Sequence, residues 1–534
     1  MRYGFAIDQR TCIGCHACTV ACKTEHEIPV GQFRTWVKYV DSGTFPDNTR
    51  DFGVMRCNHC TDAPCVAICP THALFTRSDG IVDFDGDSCI GCKSCQQACP
   101  YDAIYIDANT HTAAKCNFCA HRVDEGLEPA CVVVCPTHSI WVGDLSDPLS
   151  GISQLLAEGA VENQVAVRAP EQKTGPNVFY LGATIPVLNP LEAPVDDTYI
   201  FSEPDPHRAM VSSHLPPSAD NAKTTLNTAH PRPWGWRVTT YLWTKGVAAG
   251  AVLVAALAVL FDIDLGRFGS IGAPLVGLIG AAVTGVLLIT DLKRPERFYY
   301  IFTKGNRTSW LFLGSWALAI FGAILTGWLG AGLLAENGAG WAEDVWKVLA
   351  VISIPAAVMA AGYTAFLFNQ AKGRDLWESR LLFPHLIAQA VMVGAGAMAI
   401  LIGPANKPIG GLADLPAPSN GLAYGFVWIP EAEQLVVRAL VIATVLHIAF
   451  SLVEFYGKHE TKQATAAAHL VTHGPYRPLF LGSLVACVIA AGLAMGAWDG
   501  EHMGLAVVAG LIVQGALLAY ESVFVRAGQD IPLS

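Results

Sequence analysis

The chain has 534 residues, of which 52% are hydrophobic and only 15% are charged, and its mean hydropathy is positive. This composition departs from that of soluble globular proteins and predicts a large membrane domain. The net charge of −11 at pH 7 excludes a general affinity for nucleic acid, so we expect no nucleic-acid partner.

Cysteines divide the chain, because sixteen of the seventeen lie between Cys12 and Cys135. They form four quartets of similar spacing, which secreted disulfide scaffolds rarely show. Zinc sites also use C-x2-C pairs, but the C-x2-C-x2-C-x3-C-P run is typical of iron–sulfur clusters. The quartets are Cys12-x2-Cys15-x2-Cys18-x3-Cys22, Cys57-x2-Cys60-x4-Cys65-x3-Cys69, Cys89-x2-Cys92-x2-Cys95-x3-Cys99 and Cys116-x2-Cys119-x11-Cys131-x3-Cys135. Their sixteen thiolates match four [4Fe–4S] clusters.

The first quartet also contains the pattern of covalent haem attachment, in Cys12-Ile-Gly-Cys15-His16. The haem-attachment pattern is complete at His16. The cysteine pattern instead continues into Cys18 and Cys22, which favours a cluster over haem.

Three regions follow one another along the chain. Residues 1–190, which hold the quartets and a mixed segment after them, are expected to form a ferredoxin domain. Residues 191–235 are rich in Pro, Ser, Asp, Asn and Thr, which favours a poorly packed linker. Residues 236–534 form the membrane domain, with eight apolar runs near the ~20 residues that a helix needs to cross a bilayer. The runs are 239–262, 268–290, 307–331, 345–369, 381–403, 432–456, 477–497 and 503–525. The predicted fold class is an α+β ferredoxin-like domain of tandem two-cluster repeats, followed by an all-α bundle of eight transmembrane helices.

Lys and Arg gather in the loops on one side of this helix layout, including Lys293, Arg294, Lys372 and Arg374. By the positive-inside rule these loops, both termini and the ferredoxin domain face the cytoplasmic side of the inner membrane. The sequence MRYGFAIDQRTC reaches the first quartet without an apolar signal region or a twin-arginine motif, so we expect no export signal in this chain. Export beside a partner that carries such a signal is the alternative.

The cysteine-rich region resembles the four-cluster ferredoxin subunits of molybdopterin oxidoreductases, such as polysulfide reductase, dimethyl sulfoxide reductase and formate dehydrogenase. The resemblance covers roughly residues 1–190 and rests on the segments RCNHCTDAPCVAICP, CIGCKSCQQACPYDAI and KCNFCAHRVDEGLEPACVVVCPTHSIWVGDL. It implies a separate molybdopterin catalytic subunit as partner, and quartets that exchange their fourth cysteines. Under that exchange Cys22 joins Cys116, Cys119 and Cys131; Cys135 joins Cys12, Cys15 and Cys18; Cys99 joins Cys57, Cys60 and Cys65; and Cys69 joins Cys89, Cys92 and Cys95.

The second half of the chain is similar to the NrfD-like membrane anchors of polysulfide reductase and related enzymes, over nearly all of residues 236–534. Four motifs carry this resemblance: DLKRPERF at 291–298, NRTS at 306–309, GYT at 362–364 and RAGQDIPLS at 526–534. In relatives the ferredoxin and anchor subunits are usually separate chains. Their fusion in one chain therefore distinguishes this protein and implies a one-to-one ratio of the two domains.

Ionisable residues inside a bilayer are costly, so they mark functional sites or paired groups. Six of them fall in the membrane half nearest the ferredoxin domain: Lys245, Asp291, His385, His447, Glu454 and Glu521. Because quinone reduction consumes protons with electrons, we expect a quinone pocket in this half. The family resemblance implies contacts with the quinone headgroup from Tyr241, Lys245 and Tyr363, with His385 as alternate. The competing interpretation is that such residues pair as structural contacts between helices.

The sequence therefore predicts a subunit that passes electrons through four [4Fe–4S] clusters between a molybdopterin catalytic subunit and membrane quinone, either menaquinone or ubiquinone. The favoured substrate of that partner is a sulfur compound such as sulfite or polysulfide. The chain has no pterin-domain length, so we assign it no catalytic residue. The alternative is a redox-coupled proton-translocating subunit of a larger respiratory complex, for which Glu433 and Arg438 are the candidates in the far half of the membrane.

Overall fold

The computed structural model describes residues 1–195, 211–215, 221–228, 232–402, 430–499 and 502–534. Short strands and helices occupy the first third of the chain, and long apolar helices occupy the rest. This arrangement confirms the predicted fold class.

The ferredoxin domain consists of short elements separated by cysteine-bearing loops. Its largest sheet has the strand order β8-β1-β10-β9, in which β1 and β10 are parallel, and the other sheets are β11-β2-β3, β4-β5 and β6-β7. The strands are β1 (Tyr3–Asp8), β2 (Thr35–Thr44), β3 (Asp47–Arg56), β4 (Leu74–Thr76), β5 (Val82–Phe84), β6 (Ile104–Ile106), β7 (Ala113–Lys115), β8 (Ile140–Asp144), β9 (Val165–Ala166), β10 (Val178–Leu181) and β11 (Lys223–Leu226). The helices are α1 (Ala17–Glu25), α2 (Pro64–Ile68), α3 (Ser94–Ala98), α4 (Ala120–Val123), α5 (Ala130–Val133), α6 (Gly151–Val161) and α7 (Ile185–Leu188). The hairpins β4-β5 and β6-β7 each follow a quartet, as expected for tandem repeats.

The segment predicted as a linker contributes a strand to the ferredoxin domain. Strand β11 pairs antiparallel with β2, through Lys223 opposite Asp41 and Thr224 opposite Val40. In this strand Lys223 is exposed, Thr224 is buried and the last two residues are half-buried. Residues 221–228 are therefore packed chain rather than the poorly packed linker expected from composition. Residues 196–210, 216–220 and 229–231 of the linker lie outside the described residues.

The membrane domain contains eight helices that are long and apolar enough to cross a membrane, within the residues that the structure describes. This number confirms the prediction. Several helices extend beyond the predicted runs, because their polar ends continue the helical hydrogen bonds outside the apolar stretch. The helices of this domain are α8 (Trp236–Leu260), α9 (Ala273–Asp291), α10 (Tyr300–Thr303), α11 (Trp310–Glu336), α12 (Gly340–Asn369), α13 (Leu382–Ile402), α14 (Pro430–Tyr456), α15 (Lys462–Thr472), α16 (Arg477–Met495) and α17 (Met503–Asp530). Helices α10 and α15 are the two short ones.

Helix α8 lies at the centre of the bundle, in contact with α9, α12, α13 and α17. Small residues allow its close approach to α13. A side chain on Gly250 would overlap the carbonyl oxygen of Ala390, and one on Gly394 would overlap the backbone of Gly250. Tyr241 and Lys245, two of the predicted quinone contacts, are therefore buried inside the bundle.

Candidate functional site

Thiols of different quartets interact with one another in the ferredoxin domain, and the family resemblance sorts all sixteen into four groups. In each group one thiol comes from a different quartet than the other three. The Cys22 thiol, for example, lies within electrostatic range of the Cys116, Cys119 and Cys131 thiols. In each group that the resemblance implies, the exchanged cysteine interacts with at least one thiol of the other quartet. They are set 1 (Cys12, Cys15, Cys18, Cys135), set 2 (Cys22, Cys116, Cys119, Cys131), set 3 (Cys57, Cys60, Cys65, Cys99) and set 4 (Cys69, Cys89, Cys92, Cys95).

The four sets follow one another in a row. Neighbouring sets are linked by electrostatic interactions between single thiols. These are Cys18 with Cys131 between sets 1 and 2, Cys116 with Cys57 between sets 2 and 3, and Cys95 with Cys65 between sets 3 and 4. At one end, Cys15 of set 1 is exposed. At the other end, Cys92 of set 4 borders a cavity among the membrane helices. The row therefore leads from the protein surface to the membrane domain.

The surroundings of the thiols suit iron–sulfur clusters. Backbone N–H groups donate to the sulfur atoms of Cys89, Cys99 and Cys135 at 3.4, 3.5 and 3.3 Å. Burial raises the pKa of the Cys60 and Cys99 thiols to about 12, so a bound metal must draw off their protons. The thiols of set 4 line one small void. Among the described residues, no group of His, Cys, Asp and Glu converges as a single metal ion requires.

The loop after α9 attaches the membrane domain to the backbone that carries set 4. The N–H of Lys293 donates to the carbonyl of Gly91 at 3.1 Å, and the Arg297 guanidinium donates to the carbonyl of Cys89 at 3.0 Å. Gly91 has a φ of +68°, and a side chain there would come 3.1 Å from the Cα of Lys293. The DLKRPERF motif is therefore a docking segment.

The NRTS motif holds the end of the second quartet. The backbone N–H of Asn306 donates to the carbonyl of Pro70 at 2.9 Å, and its side-chain amide donates to the carbonyl of Cys69 at 2.8 Å. The Ser309 hydroxyl donates to the carbonyl of Ile68 at 2.6 Å. Both motifs thus bind main-chain carbonyls next to cluster-ligand candidates.

The C-terminal motif RAGQDIPLS forms a second attachment between the domains. The side-chain oxygen of Gln529 accepts a hydrogen bond from the amide of Gln97 at 2.6 Å. Arg374 donates to the carbonyl of Gln529 at 3.0 Å and to the side chain of Gln97 at 2.9 Å. Arg168 of the ferredoxin domain donates to the carbonyl of Leu533 at 2.6 Å. All of these contacts are buried, so the two domains share a fixed interface.

A cavity of about 290 Å³ lies where set 4 meets α8, α9 and α11. Its polar lining residues are Cys92, Ser94, Tyr241, Asp291 and Ser315, and the rest of its wall is almost entirely aliphatic or aromatic. An apolar space with a few convergent polar groups is typical of a small-molecule site. This one borders a cluster-ligand candidate at one end.

Asp291 lies between this cavity and a wider, more polar cleft of about 660 Å³. Its carboxylate pairs with the ammonium of Lys93 at 2.7 Å, and Lys93 also lines the cleft. The pair therefore connects the ferredoxin domain, the cleft and the apolar cavity.

Of the four predicted quinone contacts, only Tyr241 lines the cavity. Lys245 and Tyr363 are buried behind it. The Lys245 ammonium donates to the hydroxyl of Thr364 and lies 4.7 Å from the centre of the Tyr363 ring and 6.0 Å from that of Tyr241. These two residues can position Tyr241 without touching a ligand in the cavity.

His385 belongs to a separate buried cluster between α13, α14 and α17. Its Nδ1 lies 3.1 Å from a carboxylate oxygen of Glu454, and its Nε2 lies 2.8 Å from Nδ1 of His447. The Tyr520 hydroxyl donates to the same oxygen of Glu454 at 3.0 Å. This arrangement matches the paired structural contacts considered as the competing interpretation, and none of its members lines the cavity.

Three lining residues of the cavity, Ser94, Asp291 and Trp234, were not predicted as quinone contacts from the sequence. Asp291 was among the ionisable residues assigned to the membrane half nearest the ferredoxin domain. Its position at the start of the DLKRPERF motif, at the end of a helix, was the sequence feature that could have indicated its role. Nothing in the local sequence marks Ser94 or Trp234.

Two protein families match this protein. The 4Fe-4S dicluster domain matches residues 49–145, and the family described as polysulphide reductase, NrfD, matches residues 224–529. The second match covers more than half of the chain. The second match begins within strand β11 and extends to the last turn of helix α17, so it includes all eight long apolar helices.

Three similar proteins each match about a third of the chain. A subunit of tetrathionate reductase from Salmonella typhimurium is 45% identical over 192 residues, which are 36% of this chain and 76% of that protein. A component of polysulfide reductase from Wolinella succinogenes is 45% identical over 159 residues, 29% of this chain and 83% of that protein. Protein NrfC of Escherichia coli is 45% identical over 161 residues, 30% of this chain and 72% of that protein. The present protein belongs to the polysulphide reductase NrfD family, and the part of the chain before its membrane domain contains a match to the 4Fe-4S dicluster domain.

Proposed function

We propose that the chain is the electron-transfer and quinone-reactive membrane subunit of a respiratory molybdopterin-type oxidoreductase. One observation carries this proposal: the cavity that Cys92 borders is an apolar space inside the membrane domain, with Tyr241 and Asp291 on its wall. A hydrophobic electron acceptor in this cavity would lie beside the last thiol set of the row. The family matches favour this function over a proton-translocating subunit.

The four thiol sets would hold four [4Fe–4S] clusters, with all sixteen quartet cysteines as ligands. Such clusters supply one-electron carriers. The chain's own contribution is to bury the thiols, to donate N–H hydrogen bonds to their sulfur atoms, and to align the sets between exposed Cys15 and the cavity.

A quinone headgroup, of menaquinone or ubiquinone, would occupy the cavity of about 290 Å³. Phe298 and Phe302 on its wall are 40% and 41% exposed, so one side of the wall faces outward, where an isoprenoid tail could reach the lipid. The Tyr241 hydroxyl would donate to a quinone carbonyl. Lys245 and Tyr363 would keep the Tyr241 ring in place from behind.

Quinone reduction takes up two protons with two electrons, so the cavity needs a path for protons. Asp291 is the acidic residue of its wall, and it also lines the polar cleft. It would exchange protons between the cleft and the quinone while Lys93 holds its carboxylate in place. Protons would thus be exchanged on the side of the ferredoxin domain.

The catalytic partner would contact the opposite end of the row of thiol sets. Three apolar side chains near set 1 are exposed: Ile13 at 57%, Val20 at 61% and Val133 at 58%. Exposed apolar residues of this kind suit a protein interface. Two of the similar proteins belong to tetrathionate reductase and polysulfide reductase, which favours a partner that acts on a sulfur compound.

The ferredoxin domain would lie on the cytoplasmic face of the inner membrane, as the basic loops indicate. The structure gives two of these basic residues a second role, because the side chains of Arg297 and Lys304 donate hydrogen bonds to the ferredoxin domain. Membrane topology is therefore not the sole cause of the many basic residues in these loops. The alternative is export of the ferredoxin domain beside a partner that carries an export signal.

Reconstituted protein offers a direct test of the function. The full chain in lipid nanodiscs is reduced with dithionite, excess reductant is removed, and a short-chain quinone is added. Cluster absorbance should return to the oxidised level at a rate that depends on quinone concentration. Clusters that remain reduced in the presence of quinone, yet are oxidised by a water-soluble dye, would contradict the proposal.

A further inference from the structure

Arg56 is a fully buried cation next to the thiol sets. It is the last residue of β3, its side chain is inaccessible to solvent, and its Nη1 lies 3.3 Å from the sulfur of Cys131 in set 2. Its guanidinium carbon lies 4.4 Å from the centre of the Phe5 ring. Within the part of the chain that the structure describes, its Nε and Nη2 atoms have no hydrogen-bond partner.

The burial of a guanidinium is costly unless negative charge lies close to it. In the described residues no carboxylate forms an ion pair with Arg56. The groups that most favour its charged form are the thiols of Cys131, Cys116 and Cys18, which belong to sets 2 and 1. A cluster held by four thiolates is negatively charged, and its reduction adds a further negative charge. The charge that balances Arg56 is therefore that of the cluster.

We propose that Arg56 raises the reduction potential of the cluster held by set 2 and, less strongly, of the cluster held by set 1. A fixed positive charge stabilises the reduced form more than the oxidised form, and an N–H donor to a ligand sulfur acts in the same direction. An arginine remains charged at all working pH values, so this effect is permanent. The inference rests on the cluster ligands proposed above, but not on the quinone site.

The test is a potentiometric titration of the full chain in nanodiscs, followed by electron paramagnetic resonance at low temperature. The variants are Arg56→Gln, which keeps N–H donors and loses the charge, and Arg56→Lys, which keeps the charge. Lys38→Met is the matched control, since Lys38 is also fully buried in this domain but interacts with Arg168 rather than with a thiol. Iron content is measured first for every protein.

Arg56→Gln should retain its iron and make one reduction step at least tenfold less favourable, a shift of about 59 mV for one electron. The reduction potential of a second step should fall by a smaller amount, and the potentials of the remaining steps should not change. Arg56→Lys should retain most of the potential, and Lys38→Met should leave every step unchanged. Unchanged steps in Arg56→Gln with full iron, or equal shifts in Arg56→Gln and Arg56→Lys, would overturn the proposal. So would loss of iron in Arg56→Gln, which would assign Arg56 to cluster assembly. Low iron in the unaltered protein would instead contradict the cluster assignment.

Discussion

Lys93 of the ferredoxin domain and Asp291 of the membrane domain form an ion pair of 2.7 Å, although 198 positions separate them in the chain. Lys93 follows Cys92 directly, and Asp291 ends helix α9. The pair lies between an apolar cavity and a polar cleft. This ion pair therefore connects the two domains and lies between the apolar cavity and the polar cleft.

Replacement of Asp291 by Asn should lower quinone-linked turnover about 100-fold, because the cavity wall would lose its acidic proton-exchange group. Oxidation by a water-soluble dye should not change. Glu296→Gln is the control, since Glu296 lies in the same loop and pairs with Arg294 at the surface. Equal quinone turnover in both variants would contradict a role for Asp291 in proton exchange.

Replacement of Tyr241 by Phe should weaken quinone binding about tenfold, through loss of one hydrogen bond to the headgroup. The Michaelis constant for a short-chain quinone measures this effect. Tyr456→Phe is the matched control, because the Tyr456 side chain is 53% exposed and lies outside the cavity.

Lys245→Met and Tyr363→Phe should lower quinone-linked turnover less than Tyr241→Phe does, because their side chains lie behind Tyr241 rather than in the cavity. His385→Leu should lower it least and should act through stability, since it removes one member of a buried cluster. Steady-state turnover and thermal denaturation are measured together. A loss of turnover in His385→Leu larger than that in Tyr241→Phe, at unchanged stability, would move the quinone site towards His385.

Iron analysis should give about sixteen irons per chain, with paramagnetic signals of four-iron clusters only. Cys92→Ser should alter the signal of one cluster. Cys487→Ser should leave iron content unchanged, because Cys487 is buried inside helix α16. About eight irons per chain, or haem that survives denaturation, would contradict four clusters.

Replacement of Arg374 by Met should destabilise the interface by about 1–3 kcal/mol, because it leaves buried hydrogen-bond acceptors on Gln97 and Gln529 unsatisfied. The melting temperature and the quinone-linked turnover should both fall while iron content is retained. Lys347→Met breaks an exposed ion pair with Glu343 and should cost less than about 0.5 kcal/mol. Equal melting temperatures for the two variants would argue against a shared rigid interface.

Topology is best tested with cysteines introduced at exposed positions, because the C-terminal Ser534 is buried and an attached reporter would disturb the interface. Two positions are suitable. Leu149 lies in the ferredoxin domain and is 80% exposed, and Trp341 lies at the opposite end of the helix bundle and is 65% exposed. Each is replaced by cysteine in a separate variant, Leu149→Cys and Trp341→Cys. An impermeant maleimide should label only the Trp341→Cys variant in intact spheroplasts. Labelling of Leu149→Cys there would place the ferredoxin domain outside the cytoplasm.

The sequence by itself determined the type and order of the two domains. Quartets of cysteine, and apolar runs of about twenty residues, are local patterns whose meaning does not depend on the rest of the chain. For the same reason the sequence identified the cluster-ligand candidates and the eight membrane helices. Composition alone was a weaker guide, since it predicted poorly packed chain where Lys223–Leu226 form a strand.

Only the tertiary structure decided which residues form each site. Tyr241 and Lys245 are one helical turn apart on the same face of α8, yet only Tyr241 reaches the cavity, because the cavity lies beside the first turns of the helix and Lys245, one turn further along, is bound to Thr364. Contacts between distant segments, such as Gln97 with Gln529 and Arg56 with Cys131, leave no trace in local spacing. Such contacts arise from the packing of one domain on the other and of one strand against the thiol sets.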